Sequence, residues 1–306
     1  MQLRQLKYAL EVHKCGNNIS AAADILNTSQ SGISKQIQLL EYELGFNIFE
    51  RTRNRVLGLT NPGQDVVKII QCIFNDVEDL RSIHDDYDKR QEGKLTITTT
   101  HTHARYILPP VIKDFLQRYP SIHVGLLQGN PTEICELVEN GSADFALGTA
   151  TLRSFPSLVM LPCCEITRSV VAPIGHPILE VQELTLEEIA KYPVIAYDSF
   201  RSGQWNIMDA FMKKGIHPKI PFTGVDADIA KAYVELGLGI AILASVSVDP
   251  QRDGGLRARD ASHLFKSSTT FVSFRRKAYL RRYIYDFIET LAPALTKKVV
   301  QSHLMS

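Results

Sequence analysis

The chain has 306 residues, of which 44% are hydrophobic, so it can bury a sizeable core and has room for two or three domains. A net charge of +1 argues against a polybasic coating protein, and five cysteines without CxxC spacing indicate neither a disulfide framework nor a zinc site. Because no apolar run reaches the roughly 20 residues that span a bilayer and no signal peptide is evident, we expect a cytoplasmic protein without a membrane partner.

Residues 18–41 predict two short helices that cross at a small-residue contact. Alanines at 21–23 allow close packing, Asn27 ends the first helix, and a hydroxyl of Thr28 or Ser29 can cap the second. The polar face left over carries Ser29, Gln30, Ser31, Ser34, Lys35 and Gln38. Such groups suit base edges and phosphates, so the segment favours a helix-turn-helix that binds double-stranded DNA. An ordinary helical hairpin with a solvated face is the alternative.

A basic segment follows Gly45, which we expect to end the second helix. Residues 49–60 alternate in polarity like a β-hairpin and place Arg51, Arg53 and Arg55 on one side. The hairpin could act as a wing that contacts phosphates, although an exposed basic hairpin without a partner is the plainer interpretation. Residues 1–60 hold seven Lys or Arg against five Asp or Glu, so binding would depend on the placement of charges.

Four motifs in this region resemble the N-terminal domain of LysR-type transcriptional regulators. They are TSQSGISKQI at 28–37, LLEYELG at 39–45, IFER at 48–51 and LTNPG at 59–63. The resemblance implies a winged helix-turn-helix over residues 1–61. RNA polymerase is then a candidate partner.

An apolar stripe at helical spacing extends from Val66 to Ile83 and predicts a helix of about six turns. Pro62 fits its first turn, and a polar stretch at 85–93 ends it. We assign residues 62–92 to a linker helix and hinge. Packing against the same helix of a second copy would give a homodimer or homotetramer suited to a two-fold DNA site, and packing within one chain is the alternative.

From residue 93 strands alternate with helices in the order βαβαβ, which predicts a parallel sheet. A second run of this kind follows, so a cleft between two α/β subdomains is expected. Resemblance to periplasmic-binding-protein-like folds implies that a strand at 269–274 and a helix at 279–291 return to the first subdomain. The predicted fold class is therefore α/β, with an effector-binding domain at 93–306 after the DNA-binding domain and linker helix. Its subdomains are I, at about 93–165 and 268–295, and II, at about 166–267.

The first strand of this domain ends in TTTHTHAR at 98–105, a run of hydroxyls and imidazoles. Ligands of open α/β sheets bind beyond such strand ends. If a helix begins near Thr102, its free N–H groups with Thr100 and Thr102 would form a neutral pocket for an oxyanion or carboxylate. Threonines that merely favour a strand and cap a helix are the alternative. His101 and His103 on a strand would share a face, but two ligands without a third rarely hold a metal, so none is expected.

Further motifs resemble the CysB-type regulators of sulfur assimilation over nearly the whole chain. Among them are TTHTHARY at 99–106, QGNPT at 128–132, VDADI at 225–229 and YVELGLG at 233–239. The resemblance implies control by an acetylserine-type inducer or by an inorganic sulfur anion such as sulfate or thiosulfate. It places the effector contacts at Thr100, Thr102, His103, Thr149 and Ser202.

The chain departs from that branch where it has His103 for Gln, Ser202 for Thr and Ile166 for Trp. Serine keeps the hydroxyl, whereas histidine replaces an amide with a group that ordinarily titrates near neutral pH. The effector is therefore open, and a regulator of sulfonate or other sulfur-source use is the alternative.

Two other classes of protein are less favoured. An enzyme would need a nucleophile with its base or a set of metal ligands, for which the sequence offers His101, His103, Cys163 and Cys164. No nucleophile elbow, phosphate-binding loop or dinucleotide fingerprint accompanies them. A solute-binding transport protein would not carry the N-terminal DNA module. The vicinal Cys163–Cys164 pair could sense oxidants or soft metals, although free cysteines are more often small buried hydrophobes.

Overall fold

The structure is a computed structural model that describes residues 1–52, 55–87, 93–197 and 205–304. It divides into two compact units, Met1–His84 and Asp85–Ser306. Up to residue 87 the elements are α1 (Leu3–Lys14), α2 (Ile19–Ile25), α3 (Gln30–Leu44), β1 (Phe49–Thr52), β2 (Arg55–Leu59) and α4 (Asn61–Tyr87).

Side-chain caps and a left-handed glycine define the helix-turn-helix. The Asn18 side chain accepts the N–H groups of Ser20 and Ala21 at the start of α2, and the Ser29 hydroxyl accepts that of Gly32 in α3. Gly45 has a φ of 79°, which ends α3 as expected. The core shared by α1, α2 and α3 includes Ala9, Ala22, Ile33, Ile37 and Leu40.

Strands β1 and β2 pair antiparallel, with Phe49 opposite Leu59 and an irregularity between Glu50 and Arg51. The next helix, α4, has 27 residues, which is about seven and a half turns and longer than the sequence pattern predicts. Val67 and Ile70 pack into the core, whereas Ile69 is exposed. None of the helices in the described ranges combines the length and apolar character that a membrane crossing requires.

The second unit contains two five-stranded sheets within the part of the chain that the structure describes. In the first sheet the strand order is β4 (Ile122–Gln128), β3 (Gly93–Thr99), β5 (Phe145–Thr149), β12 (Ser268–Arg275), β6 (Leu158–Ile166). In the second it is β11 (Leu256–Asp260), β7 (Arg168–Pro173), β10 (Ile240–Ala244), β8 (Val194–Tyr197), β9 (Thr223–Gly224). The helices are α5 (Leu108–Arg118), α6 (Pro131–Glu139), α7 (Leu186–Ala190), α8 (Trp205–Lys213), α9 (Ala227–Glu235), α10 (Arg282–Leu291) and α11 (Lys297–Leu304).

Both sheets are mixed. In the first, β3 pairs parallel with β4 and β5, as the βαβαβ order predicts, and β12 pairs antiparallel with β5 and β6. The later strand therefore returns to the first sheet, as expected. In the second, β7 is antiparallel to both β10 and β11. The predicted fold class is confirmed, although β6 and β11 were not foreseen.

Buried side chains cover both faces of each sheet. On the first sheet, Phe115 and Phe287 from α5 and α10 pack with Phe145, and α6 contributes a separate cluster that includes Ile134. Two further clusters cover the second sheet. Helices on two faces leave the strand ends as the open part of each sheet, and polar side chains collect there.

Candidate functional site

The polar face predicted to bind DNA is presented mainly by α3. Gln30, Ser31, Lys35 and Gln38 are exposed, and Ser34 is half-buried. Ser29 is also exposed, but its hydroxyl is engaged by the Gly32 N–H at 3.1 Å. The apolar side of the same helix is fully packed, so these side chains extend from a rigid support.

Of the three wing arginines, the structure describes the side-chain contacts of Arg51. The Arg51 guanidinium donates to the Glu41 carboxylate at 2.8 Å, and Glu41 is only 6% exposed. The same carboxylate accepts the N–H groups of Ile48 and Phe49. Arg51 therefore helps to hold the hairpin on α3. Arg53 and the side chain of Arg55 lie outside the described residues.

A cavity of about 330 Å³ opens in the second unit at the carboxyl ends of β3, β4 and β5. Side chains from both sheets form its wall. They include Thr100, Thr102, His103, Asn130, Thr149, Ile166, Arg168, Asp226 and Ser268. Pockets for small molecules typically have volumes of about 300–1,000 Å³, so this cavity is large enough for a small ligand.

Two helices begin at the cavity wall. The chain leaves β3 at Thr99 and is helical from His101, because the Thr100 carbonyl accepts the Ala104 N–H. A π-helical turn at His103–Ile107 then leads into α5. The second helix, α6, begins after Asn130, whose side chain caps it. Helix N-termini carry partial positive charge, which favours an anion.

The π-helical turn changes the expectation for the two histidines. His101 and His103 lie on helical backbone and not on a strand, so their rings do not share a strand face. No group of three or more potential metal ligands occurs among the described residues. His101 Nε2 lies 3.5 Å from the Asp228 carboxylate.

His103 is locked between two hydroxyls. Its Nδ1 lies 2.7 Å from Thr100 Oγ1, its Nε2 lies 3.0 Å from Thr270 Oγ1, and the residue is 2% exposed. Burial, with a smaller effect of the Arg168 charge, lowers the pKa of His103 to about 4. The expectation of titration near neutral pH is therefore wrong. A neutral imidazole has one donor and one acceptor nitrogen, so it can replace the polar pattern of a glutamine amide.

Arg168 is the wall residue that sequence reasoning missed. It is 7% exposed and donates from Nη2 to Ser268 Oγ at 2.8 Å. The pocket therefore contains a buried cation. The neutral pocket that the threonines alone predicted is not what the structure shows. A charged residue at the start of the mostly apolar strand RSVVAP was the available signal.

The remaining predicted effector residues divide into two groups. Thr102 and Thr149 line the cavity with Thr100, and Ser202 lies outside the described residues. Ile166 is 3% exposed and supplies an aliphatic part of the wall.

A polar contact near the cavity joins the π-helical turn to α9. The Tyr106 hydroxyl donates to the Asp228 carboxylate, and Lys231 Nζ lies 3.1 Å from the same group. Burial raises the pKa of Asp228, but hydrogen bonds from Tyr106 and Lys231 outweigh it and lower the pKa overall. The carboxylate therefore stays charged and ties the π-helical turn to α9.

Comparison with known proteins places both halves of the chain. Residues 3–64 match the bacterial regulatory helix-turn-helix proteins of the lysR family, and residues 88–296 match the LysR substrate binding domain. The transcriptional regulator SsuR of Burkholderia cenocepacia is 44% identical over 97% of this chain and 96% of its own length. CysB of the same organism is 41% identical over 99% of this chain and 97% of its own.

A solved structure of a related regulator domain is also similar to this chain. The cofactor-binding domain of the Cbl transcriptional regulator superposes with a TM-score of 0.67 at 38% identity, covering 71% of this chain and 96% of that domain. The family matches cover the DNA-binding helices and the cavity-bearing domain in one chain. The chain therefore belongs to the LysR family, and it is a DNA-binding transcriptional regulator, not an enzyme.

Proposed function

We propose that the chain regulates genes of sulfur assimilation and is controlled by a small anionic effector bound in the cavity at Arg168. The effector is an acetylserine-type compound or an inorganic sulfur anion such as sulfate or thiosulfate. The observation that carries this proposal is a buried guanidinium beside threonine hydroxyls, at a wall where two helices begin. The similarity to SsuR and CysB supports the sulfur role.

The chemistry of the wall supports an anion over a neutral ligand. A buried cation is costly unless it is paired. Among the contacts of the described residues, the partner of Arg168 is the neutral Ser268, so an anionic guest would lower the free energy of Arg168. Thr100, Thr102 and Thr149 can donate hydroxyl hydrogens to the same guest. Asp226, which also lines the cavity, can accept an ammonium group, which suits an amino-acid effector.

Ile166 favours a second candidate within the same class. The CysB-type branch resembles this chain but has Trp there, and a smaller aliphatic wall leaves room for a different organic group. A regulator of sulfonate use, with an alkanesulfonate as effector, is therefore the alternative. Arg168 would bind either anion.

The DNA-binding half of the proposal rests on the exposed face of α3. Lys35 and Gln38 are exposed on this face and are not part of the core, and Gln30 lies in the first turn of the helix. We propose residues 1–61 as the DNA-binding domain, 62–92 as the linker and 93–306 as the effector-binding domain. The exposed Ile69 and Leu80 of α4 support a homodimer or homotetramer, and RNA polymerase is a proposed partner.

The test is a fluorescence-anisotropy titration with DNA from upstream of sulfur-assimilation genes, against scrambled DNA at moderate salt. We expect tighter binding to the promoter DNA. Lys35→Ala should weaken binding and reduce the salt slope by about one, whereas Lys14→Ala, an exposed lysine on α1, should leave both unchanged. Equal affinity for both DNAs would exclude the proposal.

The effector is identified by thermal-shift measurements with acetylserines, sulfate, thiosulfate and a small alkanesulfonate. A ligand that binds only the folded protein raises its melting temperature, and the rise grows with the logarithm of the ligand concentration once that concentration exceeds Kd. Stabilisation by the alkanesulfonate alone would favour the second candidate. Stabilisation by none of these anions would contradict the assignment of the cavity.

A further inference from the structure

The consecutive cysteines 163 and 164 occupy an irregular part of strand β6. Thr270 of β12 pairs with Cys164, but the next residue, Phe271, pairs with Pro162, so Cys163 is an extra residue in a β-bulge. Strand β6 is an edge strand of its sheet, and proline is tolerated in such strands and at bulges. The bulge therefore has a local cause in the sequence.

The bulge brings the two thiols together. In a regular strand consecutive side chains point to opposite faces, whereas here the two sulfur atoms lie 3.9 Å apart. Cys164 is exposed and Cys163 is half-buried, so reagents reach the pair from solvent. The other three cysteines, at 15, 72 and 135, are far apart in the sequence and show no such pairing with one another among the described contacts.

The surroundings of Cys164 favour its thiolate, which is the nucleophilic form of cysteine. The Cys163 thiol donates toward Cys164, and the Thr270 hydroxyl adds a hydrogen bond, so the pKa of Cys164 falls to about 6 despite partial burial. The pKa of Cys163 is raised by the same contact. Cys164 is therefore the more readily deprotonated sulfur of the pair.

Geometry decides which two-sulfur product can form. Consecutive Cα atoms are about 3.8 Å apart, below the roughly 4.4 Å at which disulfides begin to be common, so a direct S–S bond would strain the chain. A larger atom that bonds to both sulfurs avoids the strain of a direct S–S bond. The sulfurs then need not approach each other to bonding distance.

We propose that Cys163 and Cys164 form a two-sulfur binding site for thiophilic trivalent arsenicals. An arsenical R–As=O reacts with both thiols to give R–As(S–Cys)₂ and water. Two As–S bonds form, the arsenic–oxygen bonds are lost, and both thiol protons leave with the oxygen, while arsenic stays trivalent. No oxidant or reductant is needed.

The site lies next to the effector cavity. Thr270, the cross-strand partner of Cys164, also contacts His103 Nε2 at 3.0 Å. The Thr270 side chain therefore separates an adduct on Cys164 from His103 of the cavity wall.

The test uses the full chain, reduced under nitrogen, and phenylarsine oxide titrated in excess 2-mercaptoethanol. Intact-protein mass spectrometry should show one phenylarsenic group per chain. Because two linked contacts strengthen binding by roughly 100-fold or more, Cys163→Ser and Cys164→Ser should each require at least about 100-fold more reagent. Cys72→Ser, at an exposed cysteine on α4, is the matched control and should bind like the unaltered protein.

Retention of the adduct by either single variant at the original concentration would overturn the proposal, as would mapping of the adduct to Cys72. Melting curves without reagent show whether the serine variants fold. If they do not, alkylation of the unaltered protein decides the question. Phenylarsine oxide should protect Cys163 and Cys164 together, and protection of only one of them contradicts a two-sulfur site.

Discussion

Replacement of Arg168 with methionine is the substitution that probes the cavity most sharply. Methionine is about as long as the aliphatic stem of arginine and has no charge, so it removes the guanidinium from a site that is 7% exposed. A hydrogen bond to a charged group contributes about 1.5–3 kcal/mol. We therefore expect the effector to bind roughly 10- to 150-fold more weakly.

Isothermal titration calorimetry with the best stabilising anion measures this loss. Arg257→Met is the matched control, because Arg257 is exposed on β11, which pairs with the strand that carries Arg168. The control should bind with unchanged affinity. In Arg168→Met the pKa of His103 should also rise, since the Arg168 charge helps to lower it, and NMR titration of the imidazole measures that change. Unchanged affinity in a folded Arg168→Met variant would refute the assignment of the cation to the effector.

Three further substitutions test other parts of the account. Thr100→Val removes the hydroxyl that contacts His103 and lines the cavity, so the effector response measured by anisotropy should be lost while DNA binding persists. The folded pKa of His103, about 4, lies below its ordinary 6.5, so the unfolded chain binds the proton more readily. Stability should therefore fall by about 3 kcal/mol as pH decreases from 6.5 to 4, and urea denaturation of His103→Gln should show a flatter profile. Arg51→Ala leaves the buried Glu41 without its cation and should lower the free energy of unfolding by about 1–3 kcal/mol in urea; an unchanged value would make Arg51 a DNA contact only.

The helix-turn-helix was predictable because its signals are local. Ser29 caps α3 and Gly45 ends it, and both functions depend on residues within one turn. The alternating helices and strands of the second unit were predictable for the same reason. The pattern could not foresee β6, because Pro162 and the bulge interrupt its alternation on an edge strand.

The cavity was predictable only where it follows directly from a strand end. Thr100 and Thr102 come immediately after β3, so the general rule for open α/β sheets places them at its edge. Arg168 lies far along the chain from them, and no local periodicity brings a residue of the second sheet to that wall. The π-helical turn at His103–Ile107 and the burial of His103 likewise depend on tertiary packing, which overrides the ordinary pKa of histidine.

The central claim is that ligand binding at Arg168 changes DNA binding, and one linked measurement tests it. Promoter affinity is measured by anisotropy with and without saturating effector, in the unaltered protein and in Arg168→Met. Coupling between two sites is typically about 1–3 kcal/mol, so the effector should change promoter affinity by roughly 5- to 150-fold in the unaltered protein and not in the variant. An anion that binds the cavity tightly but leaves promoter affinity unchanged would contradict the account.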